Sequence, residues 1–185
     1  MILPIVAYGS KVLRNTCLDI NESFKGLDDL VANMFETMYA ASGVGLAAPQ
    51  INKSLRLFIV DTSPFKDDEN PDHRICKNVF INPKIISESG ESWVFNEGCL
   101  SIPEVREDVK RLSSIEIEYY DEKFNKKLEY FDGINARVIL HEYDHIEGVL
   151  FVDKISPLRK RMIKGKLKDI VNGSLNANYN IRAFK

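Results

Sequence analysis

The spacing of apolar residues predicts two helices, and helix start and stop signals predict a third. From Leu27 to Ala41 they fall at positions 27, 30, 31, 34, 38 and 41, with two aspartates in the first turn and Ser42-Gly43 at the end. A second helix is predicted from about Ile134 to Glu147. Ser156-Pro157 is a good start for a third, basic helix that extends to Asn172-Gly173.

The other apolar segments are short and favour strands. Residues 55–60 and 79–83 are rich in aliphatic and aromatic side chains, and the second of these segments leads to a turn. Residues 114–119 alternate apolar and polar side chains, and they are expected to pair with residues 127–131 as an antiparallel hairpin. The sequence therefore predicts an α+β domain, with mostly antiparallel strands around a central helix and a further helix near the C-terminus.

Length and composition indicate one domain over residues 1–185. The net charge of −2 argues against general affinity for nucleic acid, and three cysteines without a C-x-x-C pair fit a reducing compartment. No apolar run approaches the roughly 20 residues that cross a bilayer, and no secretory or organellar leader is recognisable. We therefore expect a soluble cytoplasmic protein without a membrane partner. The polar segment 62–78 and the tail after residue 172 indicate no role by themselves.

The strongest chemical signal lies on the second predicted helix. His141 and His145 are four residues apart, so both imidazoles lie on one face and can bind a single metal ion. Glu142 leaves the helix about 100° from His141, which directs its carboxylate to a water beside the metal and not to the metal itself. This arrangement predicts a hydrolase in which a Lewis-acidic ion activates water and Glu142 transfers its proton.

A hydrolytic site usually has a third protein ligand, and the residues after His145 do not supply it. Phe151 occupies the position of the third histidine in the extended motif, and no glutamate follows Glu147. The third ligand is therefore expected upstream. His73 lies in a polar loop and is a weak candidate, whereas a cysteine thiolate suits the same metals as imidazole. Cys99, beside a glycine, is the preferred cysteine, although a lone cysteine is often a small buried apolar residue.

Three motifs in the chain resemble those of the peptide deformylase family. They are G-V-G-L-A-A-P-Q at residues 43–50, E-G-C-L-S at residues 97–101 and H-E-Y-D-H at residues 141–145, in the order that the family has. One departure is Leu140, where the family usually has glutamine. Because this position is not a ligand, the departure does not change the expected chemistry.

The resemblance implies a reaction and the residues that perform it. The implied substrate is the N-formyl group on the initiator methionine of a newly made polypeptide, and the products are formate and a free amino terminus. Cys99, His141 and His145 would hold the metal, natively Fe²⁺, for which Zn²⁺, Ni²⁺ or Co²⁺ can substitute. The Gln50 side-chain amide and the Leu100 backbone N–H would stabilise the developing oxyanion.

The methionine side chain needs an apolar pocket beside the metal. Val44, Ile134 and Val138 are its predicted lining, the last two because they share the ligand face of the helix. The backbone of Gly45 is expected to pair with the extended substrate peptide. A general metallopeptidase and a non-catalytic module with a structural metal are the alternatives. Both are disfavoured, because the usual third ligands of the first are absent and structural zinc sites have four protein ligands.

The basic C-terminal helix indicates a possible partner. Between Lys154 and Lys168 lie seven basic residues and no acidic ones. Such a helix is either an ordinary solvated face or a contact to ribosomal RNA near the emerging chain. The protein is expected to be a monomer in the bacterial cytoplasm.

Overall fold

The computed structural model describes residues 1–66, 73–174 and 176–183, and its architecture is α+β, as predicted. The helices are α1 (Leu27–Ala40), α2 (Gly133–Ile146) and α3 (Pro157–Val171). None of the helices in these ranges combines the length and the apolarity needed to span a bilayer. The strands are β1 (Ile5–Val6), β2 (Gly45–Ala47), β3 (Leu57–Asp61), β4 (Lys77–Cys99), β5 (Ile102–Tyr120), β6 (Lys126–Asp132) and β7 (Ile181–Arg182).

Five strands form one antiparallel sheet in the order β2-β3-β4-β5-β6, and α2 packs on it. The interface is a core in which Ala136, Val138 and Ile139 of α2 are clustered with Phe58 and Phe80 of the sheet. Leu140, the departure noted among the motifs, is buried in the same cluster. β1 and β7 form a separate parallel pair. The predicted central position of the second helix is confirmed.

β4 is much longer than the sequence indicates. Residues 79–83 are expected to form a short strand before a turn, but β4 continues beyond them and pairs with β5. Register shifts in this ladder mark β-bulges, the first of which spans Pro83, and a bulge tolerates the missing N–H of proline. The preceding Asn82, at φ 48°, bonds through its side-chain amide to the backbone of Ile20. These residues therefore bend the strand and do not end it.

The predicted hairpin and both outer helices are confirmed. Segment 114–119 is the end of β5 and buries Ile115, Ile117 and Tyr119, and β6 follows across the expected turn. α1 buries one face in a second core, through Leu27, Leu30, Val31, Met34 and Met38. α3 begins after Ser156, whose Oγ accepts a hydrogen bond from the Arg159 N–H at 3.3 Å.

Gly148, just after α2, lies against the backbone of a distant segment. Its φ is +73°, and a Cβ placed on it would be 2.7 Å from the carbonyl oxygen of Arg14. The contact is with backbone, which cannot move aside as a flexible side chain could. Glycine is therefore required both by the left-handed conformation and by the close approach.

We expect Gly148→Ala to lower the free energy of unfolding by about 1–3 kcal/mol, because it adds a clash to a strained backbone. Gly165 provides the matched control: it lies inside α3, and nothing that the structure describes is within 4 Å of a Cβ placed there. Gly165→Ala should stabilise the protein by about 0.5–1 kcal/mol. Urea unfolding measures both, and changes of the same sign would contradict this explanation.

Candidate metal centre

Helix α2 and strand β4 bring the three predicted metal ligands together. α2 presents His141 and His145 from successive turns, and Cys99 is the last residue of β4. The Sγ of Cys99 lies 3.2 Å from the Nε2 of His145. One ligand atom from each of the three residues lies within 4.8 Å of the other two. The structure thus assembles a Cys-His-His cluster between the helix and the sheet.

The other candidate ligands lie away from this cluster. The Nε2 of His73 is 3.0 Å from the Thr62 hydroxyl, and Cys17 is buried near Ser54. Burial raises the pKa of the Cys76 thiol to about 12, so this thiol stays protonated at neutral pH. Residues 67–72, within the polar segment of the sequence prediction, lie outside the described residues. In the described part of the chain, no second group of three potential ligands converges.

Glu97 orients the first histidine. Its Oε2 is 2.9 Å from the Nδ1 of His141. Because a carboxylate can only accept, Nδ1 carries the hydrogen. The Nε2 of His141 is therefore the nitrogen available to a metal, as in other carboxylate–histidine–metal arrangements.

Two arginines neutralise the buried charge of Glu97. Arg111 donates from Nε to Oε1 at 2.7 Å and from Nη2 to Oε2 at 3.0 Å, and Arg137 donates from Nη1 to Oε1 at 2.9 Å. Burial alone would raise the pKa of Glu97, but hydrogen bonds from His141 and Arg111 outweigh it and hold that pKa well below its usual range. Glu97 therefore remains ionised and continues to accept from the histidine.

The same network reaches the middle of the histidine motif. Arg111 donates from Nη1 to Asp144 at 2.6 Å, and the other oxygen of Asp144 is 3.1 Å from the Lys154 ammonium. Sequence reasoning did not select Glu97, Arg111, Arg137 or Asp144. A signal for the two acids was present, because Glu97 opens the E-G-C-L-S motif and Asp144 stands between the two histidines. No comparable pattern marks the two arginines.

Glu142 lines the same cavity as Cys99 and His141. Burial raises the pKa of its carboxyl group to about 7. Its Oε2 is buried and has no hydrogen-bond partner among the described residues. A carboxyl group in this state can accept a proton and release it again near neutral pH.

Gly45 makes room for the Glu142 side chain. A Cβ on Gly45 would lie 2.5 Å from the Oε1 of Glu142 and 2.8 Å from its Cδ. Gly45 also belongs to β2, the edge strand of the sheet, so its backbone has no strand on one side. The glycine therefore has a steric role that sequence reasoning missed, in addition to the predicted pairing of its backbone with the substrate peptide.

Gln50 is held with its NH₂ group towards the cluster. Its Oε1 accepts from the Ala47 N–H at 2.8 Å, and its Nε2 lies 3.5 Å from the Cys99 Sγ and 3.3 Å from the Ser101 Oγ. Leu100 and Ser101 form the two-residue turn between β4 and β5. Within the described chain, the Leu100 N–H has no backbone acceptor. Two potential donors thus flank the cluster.

The donor set fits a divalent transition metal. Metal–ligand bonds of about 2.0–2.3 Å in tetrahedral geometry separate the ligand atoms by about 3.3–3.8 Å, which the observed cluster accommodates. Burial lowers the pKa of His145, which favours the neutral ring that ligation needs. Burial opposes protonation of His141 as well, but contacts with Cys99 and Glu97 outweigh it and raise the pKa of that ring. The surroundings of His141 therefore favour a positive charge, which a metal cation supplies.

A cavity of about 650 Å³ opens beside the cluster. Val44, Gly45 and Val138 line it, together with Gln50, Leu100 and the cluster residues Cys99 and His141. Ile134, which was also predicted to line the pocket, does not line it. It precedes His141 by seven residues on α2, which places it about 10 Å from His141 along the helix axis. Five further apolar or aromatic residues line the cavity and were not predicted, because they lie in distant segments of the chain: Phe65, Phe95, Ile102, Val105 and Tyr179.

The chain is similar in sequence to proteins of one family. A model of the polypeptide deformylase family matches residues 2–161. The peptide deformylase of Christiangramia forsetii is 54% identical over 188 residues, with 98% of this chain and 96% of that protein covered. The peptide deformylase of Flavobacterium psychrophilum is also 54% identical, with 98% and 97% covered.

Solved structures give the same similarity at the level of the fold. A Plasmodium falciparum peptide deformylase has a TM-score of 0.82 and 35% identity, with 91% of this chain and 95% of that chain covered. A plant peptide deformylase has a TM-score of 0.83 and 31% identity, with 96% of both chains covered. A Met-Ala-Ser-bound peptide deformylase from Acinetobacter baumannii has a TM-score of 0.75 and 31% identity, with 84% and 99% covered.

We expect Glu97→Gln to lower the free energy of unfolding by about 3–5 kcal/mol, because it leaves the buried Arg137 without a carboxylate and Arg111 with Asp144 alone. Metal affinity should fall roughly 10- to 100-fold, because His141 loses the partner that orients it. Asp61→Asn is the control: Asp61 is another buried carboxylate, bonded to Tyr39 and away from the cluster. Urea unfolding and competition with a chelator measure the two effects. Undiminished metal affinity in Glu97→Gln would contradict the orienting role.

Proposed function

The chain belongs to the polypeptide deformylase family, and from this premise we propose which of its residues carry out the reaction. The protein is a metal-dependent hydrolase that removes the N-formyl group from newly made polypeptides and releases formate. Family membership disfavours the general metallopeptidase and the structural-metal module. We further propose that residues 1–185 form one catalytic domain, which the pairing of β1 with β7 supports.

We propose that Cys99, His141 and His145 hold the metal. Their convergence beside Glu142 is the observation that carries this assignment. When bound, a divalent ion supplies Lewis acidity that activates water and polarises the formyl carbonyl. Fe²⁺ is the proposed native ion, and Zn²⁺, Ni²⁺ or Co²⁺ are proposed substitutes. A Cys-His-His set suits all four ions, so the ligands by themselves do not select among them.

Glu142 is the proposed proton carrier. It accepts the proton of the attacking water and delivers it to the amine that leaves when the C–N bond breaks. Its raised pKa supports both steps, because a strongly acidic carboxylate would be a poor donor, and so does its Oε2, which has no hydrogen-bond partner among the described residues. Gly45 supports the role sterically, since any side chain at that position would displace the carboxyl group.

Gln50 and Leu100 are the proposed oxyanion donors. As the formyl carbon becomes tetrahedral, negative charge grows on its oxygen, and the Gln50 Nε2 and the Leu100 N–H donate to it. Each such donor is worth about 2.7–4 kcal/mol in other hydrolases. The hydrogen bond from the Ala47 N–H supports the assignment of Gln50, because it fixes the amide before substrate arrives.

The cavity is the proposed site for the methionine side chain. Val44 and Val138 supply apolar walls, and the free edge of β2 at Gly45 is the proposed partner for the peptide backbone. Ile134, assigned to the pocket in the sequence interpretation, is left out of this proposal because it does not line the cavity. The Met-Ala-Ser bound to the Acinetobacter relative supports a short peptide of this kind as the occupant.

We also propose that α3 contacts the ribosome. Fewer of its basic residues are available for this contact than the sequence indicates. Three of the seven basic residues are already in ion pairs: Arg159 with Glu107, Lys154 with Asp144, and Lys160 with Asp153. The remaining basic residues are exposed and have no ion pair among the described residues; they are Arg161, Lys164, Lys166 and Lys168. This second group is the proposed contact to RNA phosphates.

We propose that the protein acts as a monomer in the bacterial cytoplasm. All residues assigned above come from one chain, so the site does not require a second copy. The named relatives at 54% identity are bacterial, and the substrate is a newly made polypeptide, both of which support this location.

The assignments of Glu142 and Cys99 are tested together by pairing metal content with rate. Glu142→Gln should retain its metal and lower kcat at least 10²- to 10⁴-fold, because the amide cannot accept the proton. Cys99→Ala should lose both the tightly bound metal and the activity, because a ligand is removed. Metal analysis and turnover of formyl-Met-Ala-Ser measure both variants. Loss of metal in Glu142→Gln, or full metal in Cys99→Ala, would contradict the assigned roles.

The α3 contact is tested by reversing charge at Arg161, Lys164 and Lys168, which should weaken co-sedimentation with ribosomes and make the remaining binding less sensitive to salt. The matched control reverses Lys25, Lys53 and Lys110, three exposed lysines elsewhere on the surface. It changes net charge equally and should leave co-sedimentation much closer to wild type. Equal loss in both triple variants would indicate a general charge effect and no specific contact.

A further inference from the structure

The segment after α3 returns to the metal centre. Residues 176–179 line the cavity, although the family model match ends at residue 161. The segment is anchored to the strand at the other end of the sequence, where the Ile5 N–H donates to the Asn180 carbonyl and the Ala7 N–H to the Arg182 carbonyl, both at 2.8 Å. It is therefore a fixed wall of the cavity.

Tyr179 connects this wall to the turn between β4 and β5. Its hydroxyl donates a hydrogen bond to the carbonyl oxygen of Leu100 at 2.8 Å. Its ring is half-buried and packs against the core that α1 forms. A second contact holds the segment on the same side, where the Asn176 side-chain amide donates to Glu104.

The backbone carbonyls of the turn are held from two sides, in addition to the contact of the Ser101 hydroxyl with Gln50. Leu100 and Ser101 stand outside both strands, between the paired residues Cys99 and Ile102. The Ser101 carbonyl accepts from the Tyr8 N–H at 2.8 Å, and the Leu100 carbonyl accepts from Tyr179. The carbonyl carbon whose oxygen Tyr179 holds and the nitrogen of the Leu100 N–H are both bonded to the Leu100 Cα. The contact therefore restricts the position of that Cα and, through it, the direction of the N–H.

We propose that Tyr179 is a positioning residue for the reaction: by holding the Leu100 carbonyl, it directs the Leu100 N–H into the cavity. The inference rests on the role proposed above for that N–H as an oxyanion donor. Oxyanion charge develops only in the transition state, so a misdirected N–H lowers kcat and has little effect on substrate binding. A contact that only stabilises the fold would not produce this selective effect.

Tyr179→Phe is the direct test, because it keeps the ring and removes only the hydroxyl. With formyl-Met-Ala-Ser, kcat should fall about three- to tenfold, the range expected for loss of one neutral hydrogen bond, and KM should stay within about twofold. Metal content should remain at the wild-type level. Tyr119→Phe is the matched control, since that hydroxyl bonds to Glu129 and Asn78 within the sheet. It should leave both kinetic constants within about twofold even if the melting temperature falls.

An unchanged kcat in Tyr179→Phe, or a raised KM at constant kcat, would overturn the inference. A further variant separates it from the role of Leu100. Nonsense suppression can replace Leu100 with its α-hydroxy acid, which turns the amide into an ester and removes the N–H itself. If the ester lowers kcat and Tyr179→Phe does not, only the role of Tyr179 is wrong. If neither lowers kcat, the proposed role of the Leu100 N–H fails as well.

Discussion

The buried carboxylate of Glu97 and its ion pairs form the interaction on which the candidate metal centre depends. It lies on β4, next to the strand end that carries Cys99, and its partners come from β5 and α2. An unpaired charge at this depth would be strongly destabilising, so the two arginines are a condition for the carboxylate to exist there. In return, the carboxylate fixes the ring of His141. One ion-pair network thus joins the strand that ends at Cys99 to the helix that carries both imidazoles.

Local patterns allowed much of the fold and the centre of the site to be predicted from sequence. The helical spacing of apolar residues predicted α1 and placed His141, Glu142 and His145 on one helix. The alternation of apolar and polar residues predicted the β5–β6 hairpin. The assignment of Cys99 depended on family resemblance, because spacing alone left the cysteines open. Patterns of this kind succeed where the relevant neighbours are within a few residues along the chain.

The features that could not be predicted depend on contacts between distant segments. The length of β4 follows from its pairing with β5, and the requirement for glycine at position 45 follows from a side chain nearly 100 residues later. The unpaired charge in and just before α3 was overestimated for the same reason, since the acids that pair with Arg159 and Lys154 lie on β5 and α2. A count of charges along a helix does not reveal which of them other elements already neutralise.

The pairing of β1 with β7 has a consequence for the order in which this protein matures. During translation β1 is made first, yet its partner strand and Tyr179 are made only after every other residue assigned to the site. Cys99, His141 and His145 can come together earlier, because all three precede α3. The turn that bears Leu100 gains its last restraint only when the chain has been synthesised beyond residue 179. An enzyme that removes the formyl group from the first residue of other nascent chains therefore completes the cavity of its own site with a segment that is made after α3.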